Sequence, residues 1–259
     1  MPLSINHFGN PMSVNLSQLH QALENRTALK VISGLNNFDS AKVLAVVQAA
    51  QVGGATFVDI AADRQLIQQV RHAIDLPICV SAVEAELLVE AVAAGADLVE
   101  IGNFDSFYAQ GRRFEGPEVL ALTQATRQLL PHTLLSVTVP HILALDEQVQ
   151  LAEALVAAGA DIIQTEGGTS AEPHHAGVLG LIEKAAPTLA AAHAISRVVN
   201  VPVLCASGLS DVTVPMAIAA GASGVGVGSA INQLNDPVAM VAAVRRLADA
   251  LVAQPVRVA

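Results

Sequence analysis

The 259-residue sequence contains no tryptophan, one tyrosine and two cysteines. Cys79 and Cys205 lie in apolar runs and form no C-x-x-C, zinc-type or disulfide-type spacing. We expect both to be small buried hydrophobic residues in a protein of a reducing cytoplasm. The sequence therefore predicts no disulfide framework and no cysteine metal site.

Basic residues and long apolar runs are also scarce. Thirteen Lys and Arg stand against 23 Asp and Glu, a net charge of −10, and aromatic residues are 3% of the chain. Nucleic-acid-binding domains normally carry a basic face, so we expect no nucleic-acid partner. Polar residues interrupt every apolar run before the roughly 18–20 residues that span a membrane. The start, MPLSINHFGN, lacks the pattern of a secretory signal, so we expect a cytoplasmic protein without a membrane partner.

Apolar residues, by contrast, make up 53% of the chain, a composition typical of strands buried on both faces.

In four segments Gly-Ala ends a helical pattern and an apolar run follows. These segments are GGATFVDI (53–60), AGADLVEI (94–101), AGADIIQT (158–165) and AGASGVGV (220–227). Four more apolar runs alternate with them, at 28–35, 76–83, 132–139 and 201–209.

Eight strand-then-helix units predict an α/β protein with a single closed (β/α)8 barrel, a TIM barrel; an open doubly wound sheet is the alternative. We expect residues 1–28 to form an N-terminal arm and a helix, Ser17–Arg26, that caps the barrel floor, and residues 29–259 to form the barrel.

The aligned repeats also predict which side chains enter the lumen. Asp59, Glu100, Gln164 and Gly226 occupy one position, and bulky apolar residues flank it. Because side chains alternate along a strand and an unpaired carboxylate is costly under the helices, this position should face the lumen. The same parity predicts six further inward side chains: Lys30, Ile32, Cys79, Ser81, Ser136 and Thr138.

The turns after strands seven and eight contain small residues, and in such barrels these loops commonly bind phosphate through backbone N–H groups. The predicted phosphate-binding residues are Ser207, Gly208, Gly226, Gly228 and Ser229. In this interpretation Gly226 leaves space in the lumen and Gly228 lets the backbone approach an anion. The alternative is that these small residues pack a tapering barrel end.

Scarce ionisable residues supply the catalytic candidates: Lys30, Asp59, Glu100, His141 and Glu166. Lys30 could form a Schiff base or hold an anionic ligand, but it could also serve as the ion-pair partner of Asp59 or Glu100, and we expect that pair in every case. His141 could move protons or cap the helix that follows it.

Four more residues are predicted to line the ligand site at the strand ends: Asn36, Asn103, Gln164 and Thr165. Residues 168–186 lack periodicity and predict a long lid or binding loop. His174 and His175 within it have no third ligand at a recognisable spacing, so no metal site and no cofactor is predicted.

The segments KVISGLNNF, GADLVEIGNFDSFY, GADIIQTEGG and AGASGVGVGSA, among others between Leu29 and Leu234, closely resemble the hypothetical chloroplast reading frame twenty-three family, a domain of unknown function. The resemblance implies a phosphate-binding-type (β/α)8 barrel in cyanobacteria or the plastid stroma of algae. It implies no reaction and no catalytic residues.

Together these observations predict an enzyme of lyase, isomerase or aldolase type acting on a small phosphorylated metabolite at the carboxyl face of the barrel. The alternatives are a non-catalytic barrel that senses such a ligand or binds a partner, and a scaffold. Alanine-rich helices such as APTLAAAHAIS could pack internally or against a second copy in a homo-oligomer.

Overall fold

The barrel is closed. In the computed structural model, which describes residues 14–108 and 110–252, eight parallel strands pair in chain order and β1 also pairs with β8. The (β/α)8 prediction is confirmed and the open-sheet alternative is wrong. The strands are β1 (Ala28–Ile32), β2 (Phe57–Ala61), β3 (Ile78–Ala82), β4 (Leu98–Ile101), β5 (Leu134–Thr138), β6 (Ile162–Gln164), β7 (Val203–Ala206) and β8 (Gly224–Val227).

Each strand is followed by one or two helices, which form the outer layer. They are α2 (Ser40–Gly53), α3 (Arg64–Ala73), α4 (Ala85–Ala94), α5 (Asp105–Tyr108), α6 (Gly116–Leu129), α7 (Leu145–Ala157), α8 (Gly177–Ile195), α9 (Val214–Ala220), α10 (Ser229–Asn232) and α11 (Pro237–Val252). A further helix, α1 (Val14–Glu24), precedes β1.

The barrel floor is apolar and is closed by α1. Leu19 and Leu23 pack in one cluster with Phe57, Cys79 and Leu98 from the amino-terminal part of the lumen. The predicted capping helix is therefore present, although it runs from Val14 to Glu24. Residues 1–13 of the predicted arm lie outside the described residues.

The barrel wall follows the predicted alternation. Val58, Ile60, Val99, Ile101 and Ile163 are fully buried beneath the helices, and full burial of such a side chain stabilises the fold by about 1.5–3 kcal/mol. Their neighbours in the chain point into the lumen. This alternation leaves the middle of the lumen to polar groups.

Two aspartates of the Gly-Ala repeats hold neighbouring strands together at their amino ends. Asp97 Oδ2 accepts from the N–H of Ile78 at 2.8 Å, and Asp161 Oδ2 accepts from the N–H of Leu135 at 2.8 Å. Each aspartate also pairs with an arginine. These carboxylates therefore support the barrel at the end opposite the mouth.

The expected loop 168–186 is wrong beyond residue 176, because α8 begins at Gly177. Its first turns expose apolar side chains, including Val178 and Leu179, and it contains Pro187, so no amphipathic period marks it in the sequence. Among the described residues, α8 is the one helix long and apolar enough to cross a membrane by length and composition. It packs against α7, α9 and β7 of the barrel.

Candidate functional site

Lys30 lies at the centre of the lumen, where it is 0% exposed. Its Nζ lies 3.0 Å from Asp59 Oδ2 and 2.7 Å from Glu100 Oε2, and it donates to Gln164 Oε1 at 3.0 Å. Burial alone would lower the pKa of the amine, but the charges of Asp59 and Glu100 outweigh it and raise that pKa above its usual range. The predicted ion pair is confirmed with both carboxylates, and the amine is held protonated.

The two carboxylates are satisfied by hydroxyl and amide groups as well as by the lysine. Ser81 Oγ donates to Asp59 at 2.7 Å, and Ser136 Oγ donates to Glu100 at 2.7 Å. Burial raises the pKa of Glu100 even though Lys30 opposes the shift. A buried polar network with every member paired is rigid, so these groups form a fixed platform.

Two side chains connect this platform to the mouth of the barrel. Gln164 Nε2 donates to Glu100 Oε1 at 2.7 Å and to Thr138 Oγ1 at 3.1 Å. Asn103 Nδ2 donates to Asp59 Oδ2 at 3.1 Å, and Asn103 has a φ of 61°. The amides thus form a floor between the buried charges below and the space above.

Above this floor is a cavity of about 240 Å³ at the carboxyl ends of the strands. The residues that line it are Ile32, Gly34, Leu35, Asn103, Asp105, Ser106, Gln164, Thr165, Glu166, Thr169, Ala206, Ser207, Gly208, Gly228, Ser229 and Asn232. A second depression, of about 490 Å³, lies on the outer surface around Gln65, Gln68 and His72, and no carboxylate, hydroxyl, thiol or amine side chain of the described residues lines it.

The structure brings most of the predicted site residues to this one cavity. Those that line it are Asn103, Gln164, Thr165, Glu166, Ser207, Gly208, Gly228 and Ser229. Others lie elsewhere: Lys30, Asp59 and Glu100 are beneath the floor, His141 is behind Glu166, and Asn36 is exposed in the turn after β1.

The β7 turn holds a strained backbone at the cavity wall. Ser207 has a φ of 75°, which non-glycine residues rarely adopt. Gly208 has a φ of 73°, and a Cβ there would lie 2.7 Å from Gly168 Cα. Only glycine fits that contact without a shift of the backbone. Strain of this kind concentrates at ligand sites.

Gly226 lies below the cavity. A Cβ there would stand 2.9 Å from Ala206 Cβ and 3.1 Å from Ile32 Cδ1. The space that the missing side chain leaves is therefore filled by protein, which is the packing interpretation of this glycine. Gly228 and Ser229, two residues later, do line the cavity.

An acidic cluster forms the wall beside the β7 turn. Glu166 is 4% exposed and accepts from Tyr108 Oη at 2.8 Å. His141 Nδ1 lies 3.2 Å from Glu166 Oε1 and 3.4 Å from Asp105 Oδ1. Asp105 Oδ2 in turn accepts from Ser207 Oγ at 3.0 Å. The cluster therefore links the end of β6 to the turn after β7.

Burial and the carboxylates set the protonation of this wall. Burial raises the pKa of Glu166, although the hydrogen bond to His141 opposes it. Burial would lower the pKa of His141, but its hydrogen bond to Glu166 and that residue's charge outweigh it and raise that pKa. The side chain of His141 contacts Glu166 and Asp105 at the mouth. It does not cap the following helix, which begins at Leu145 with Ala144 as its N-cap residue.

Sequence reasoning did not include Tyr108 and Asn232 in the site, and it included Thr169 only as part of the expected lid or binding loop 168–186. Tyr108 packs edge-on against His141, with ring centroids 5.1 Å apart. Asn232 Nδ2 donates to the carbonyl of Ile32 at 2.9 Å. Thr169 donates its N–H to Ser207 Oγ at 2.8 Å. These contacts join separate βα units, and the one available signal was that Tyr108 is the chain's only tyrosine.

The adjacent histidines of the loop before α8 have a local structural role. The backbone N–H groups of His174 and His175 both donate to Glu183 Oε2, at 2.8 and 3.0 Å. His175 Nδ1 lies 2.6 Å from Glu183 Oε1. Glu183 therefore fixes the loop to the first turns of α8, away from the cavity lining.

Comparison with known proteins places this barrel among uncharacterised relatives. The model of a family described as "Protein of unknown function (DUF561)" matches residues 13–257. The "Uncharacterized protein ycf23" of Pyropia yezoensis is 42% identical over 226 residues, which cover 87% of this chain and 83% of the relative.

Solved structures with the same fold are more distant in sequence. (S)-3-O-geranylgeranylglyceryl phosphate synthase from Thermoplasma acidophilum, in complex with substrate sn-glycerol-1-phosphate, has a TM-score of 0.61 at 12% identity, covering 93% of this chain and 98% of its own. 3-Hexulose-6-phosphate synthase has a TM-score of 0.59 at 22% identity, covering 86% and 99%. These likenesses concern the fold, whereas the family match spans nearly the whole sequence. The chain therefore belongs to the DUF561 family of proteins of unknown function, in agreement with its resemblance to the chloroplast reading frame twenty-three proteins.

Proposed function

We propose that the protein is an enzyme, of lyase, isomerase or aldolase type, that acts on a small phosphorylated metabolite at the carboxyl mouth of the barrel. The observation that carries the proposal is the cavity that is lined by Glu166 together with the turns after β7 and β8. Its volume of about 240 Å³ lies below the roughly 300–1,000 Å³ of sites for drug-sized ligands, so a ligand of few atoms fits it.

The phosphate group binds at the two turns. Ser207 and Gly208 follow β7, Gly228 and Ser229 follow β8, and these strands are neighbours in the barrel. Hydroxyl and backbone N–H groups at this position of a (β/α)8 barrel commonly bind phosphate. Two proteins of the same fold support the assignment, since one was solved with sn-glycerol-1-phosphate and the other is named for a hexulose phosphate.

The carbon skeleton lies against the floor and the Glu166 wall. Asn103 and Gln164 present amides there, and Glu166 presents a carboxylate. Groups of this kind hold and polarise the carbonyl and hydroxyl groups of a sugar-like chain. Lys30 acts from below by fixing Gln164. A Schiff base on Lys30 stays a prediction, and the contacts of Lys30 Nζ with Asp59, Glu100 and Gln164 disfavour it.

A charge placed at the phosphate turns tests the proposal. Ser229 is exposed, so Ser229→Glu should fold and should repel a phosphate. We expect the affinity for three- to six-carbon phosphorylated compounds to fall at least about tenfold, or ~1.4 kcal/mol, as measured by ³¹P NMR titration with and without a divalent salt. Gln65→Glu, an exposed residue in the first turn of α3, makes the same charge change outside the cavity and should bind like the wild type.

Turnover of the bound compounds, followed by NMR, separates the enzyme from a sensing barrel. Binding without turnover would favour the non-catalytic alternative, and no binding by the wild type would overturn both.

The net charge of −10 fits a protein with no nucleic-acid partner. The Ycf23 relative fits a protein of the cytoplasm or plastid stroma.

A further inference from the structure

Three side chains of metal-ligand type converge on one edge of the cavity. One donor atom from each of Asp105, His141 and Glu166 lies within 4.8 Å of the other two. Nδ1 of His141 is 3.4 Å from Asp105 Oδ1 and 3.2 Å from Glu166 Oε1. Ligand atoms about 2.1 Å from a divalent ion are about 3.0–3.4 Å apart in octahedral or tetrahedral geometry. Two of the three side chains are thus already at ligand spacing from the third.

The charge of the cavity is an independent observation. The described residues that line it include no lysine, arginine or histidine, but they include Asp105 and Glu166. Within residues 14–108 and 110–252, the ion pairs of these two carboxylates involve His141 and no other partner. A phosphorylated ligand would therefore meet two carboxylates in the cavity lining, while His141, which pairs with both, lies outside that lining. A bound cation would bring positive charge to the ligand itself.

The surroundings of the three groups also suit a cation. Ser207 Oγ and Ser170 Oγ donate to Asp105, at 3.0 and 3.3 Å, and Tyr108 donates to Glu166. Hydrogen bonds of this kind orient the carboxylate ligands of metal sites. Asp105 and His141 each keep 14% of their side chains exposed, so an ion can enter from the mouth.

We propose that Asp105, His141 and Glu166 bind a divalent cation of the Mg²⁺ or Mn²⁺ class, and that the phosphorylated ligand is held through it. Two carboxylates, with positions left for water and phosphate, are typical of these ions, and the imidazole of His141 adds a nitrogen ligand. The cation replaces the hydrogen bonds between the imidazole and the carboxylates. The role toward the ligand rests on the proposed function, whereas binding of the cation does not.

Binding of Mn²⁺ to the full chain, without any phosphorylated compound, tests the site. We expect the free Mn²⁺ signal in electron paramagnetic resonance to fall by one equivalent per chain. Asp105→Asn keeps the size of the side chain and should weaken binding at least tenfold, as should His141→Ala. The control His175→Ala removes an exposed histidine paired with Glu183 and should bind like the wild type. No uptake by the wild type, or equal uptake by Asp105→Asn, overturns the site.

A second measurement tests the link to the ligand. At equal total Mn²⁺, the ³¹P signal of glycerol phosphate should broaden in the wild type beyond the broadening that the measured free Mn²⁺ causes by itself, and Asp105→Asn should show no such excess. Stoichiometric Mn²⁺ uptake without this broadening would overturn the bridging role and weaken the proposed function while leaving the cation site intact. Metal-independent binding of the same compound would overturn the bridging role and support the proposed function.

Discussion

Replacing Lys30 by methionine tests the polar network of the lumen. Methionine has a similar length and no charge, so Asp59 and Glu100 would keep their burial and lose the amine that lies 3.0 and 2.7 Å from them. Removing one partner of a buried ion pair costs about 3–5 kcal/mol. Native domains are stable by about 5–15 kcal/mol, so this variant should lose a large share of its stability at neutral pH.

The pH dependence gives the prediction its sign. The raised pKa of Lys30 keeps its contribution constant below about pH 10, so the amine causes no change in the wild type between pH 7 and 5. In Lys30→Met the buried Glu100 carboxyl, whose pKa burial raises, loses the amine that opposes the shift, so it binds its proton more tightly in the folded than in the unfolded chain. The stability deficit of the variant should therefore shrink as the pH falls from 7 toward 5. Lys30→Met combined with Glu100→Gln should be more stable than Lys30→Met alone.

Urea unfolding followed by far-ultraviolet circular dichroism measures these differences, since the chain lacks tryptophan. The matched control is Lys42→Met; the Lys42 side chain is 75% exposed and its amine pairs with Asp39 at 3.4 Å. Exposed ion pairs contribute little, so this control should unfold close to the wild type. Equal losses in the two variants, or a deficit that does not shrink at low pH, would refute the assignment of Lys30 as the central cation.

The remaining predictions concern single contacts. Burial raises the pKa of Glu100, so the folded chain binds that proton more tightly than the unfolded chain does. The free energy of unfolding should therefore fall as the pH rises from about 4 through the folded-state pKa. Glu100→Gln should remove this pH dependence, as measured by urea titrations at several pH values. Gly208→Ala should cost about 1–3 kcal/mol because its Cβ would contact the Gly168 backbone, measured against Gly95→Ala, which has positive φ but open space; equal melting temperatures would contradict this. Thr188→Val should cost about 1–3 kcal/mol in thermal unfolding, since its hydroxyl donates to the Ala206 carbonyl at 2.6 Å; an unchanged melting temperature would count against this.

The acidic cluster shows where sequence reasoning stops. The sequence predicts His141 and Glu166 as site residues after two different strands, and the structure places Asp105, which follows a third strand, beside His141. Their mutual distances depend on the closure and stagger of the barrel, which periodicity does not specify. The positive φ of Ser207 is likewise absent from the local pattern.

The helix α8 and the glycine Gly226 show a related limit. An apolar helix without a polar face gives no period, so α8 was predicted as a loop in its first turns. Gly226 was expected to leave room for a ligand, yet Ala206 and Ile32 fill that room. Which atoms occupy a space is a property of packing.

By itself, the sequence determined the barrel, the order of its strands and which side chains enter the lumen, because alternation along a strand and the cost of burying a charge act locally. The tertiary structure alone decided that Lys30, Asp59 and Glu100 lie below a floor of amides while Asp105, His141 and Glu166 meet at the mouth. Closing the barrel sets the heights at which side chains from different strands meet, and that depends on the whole ring of strands at once.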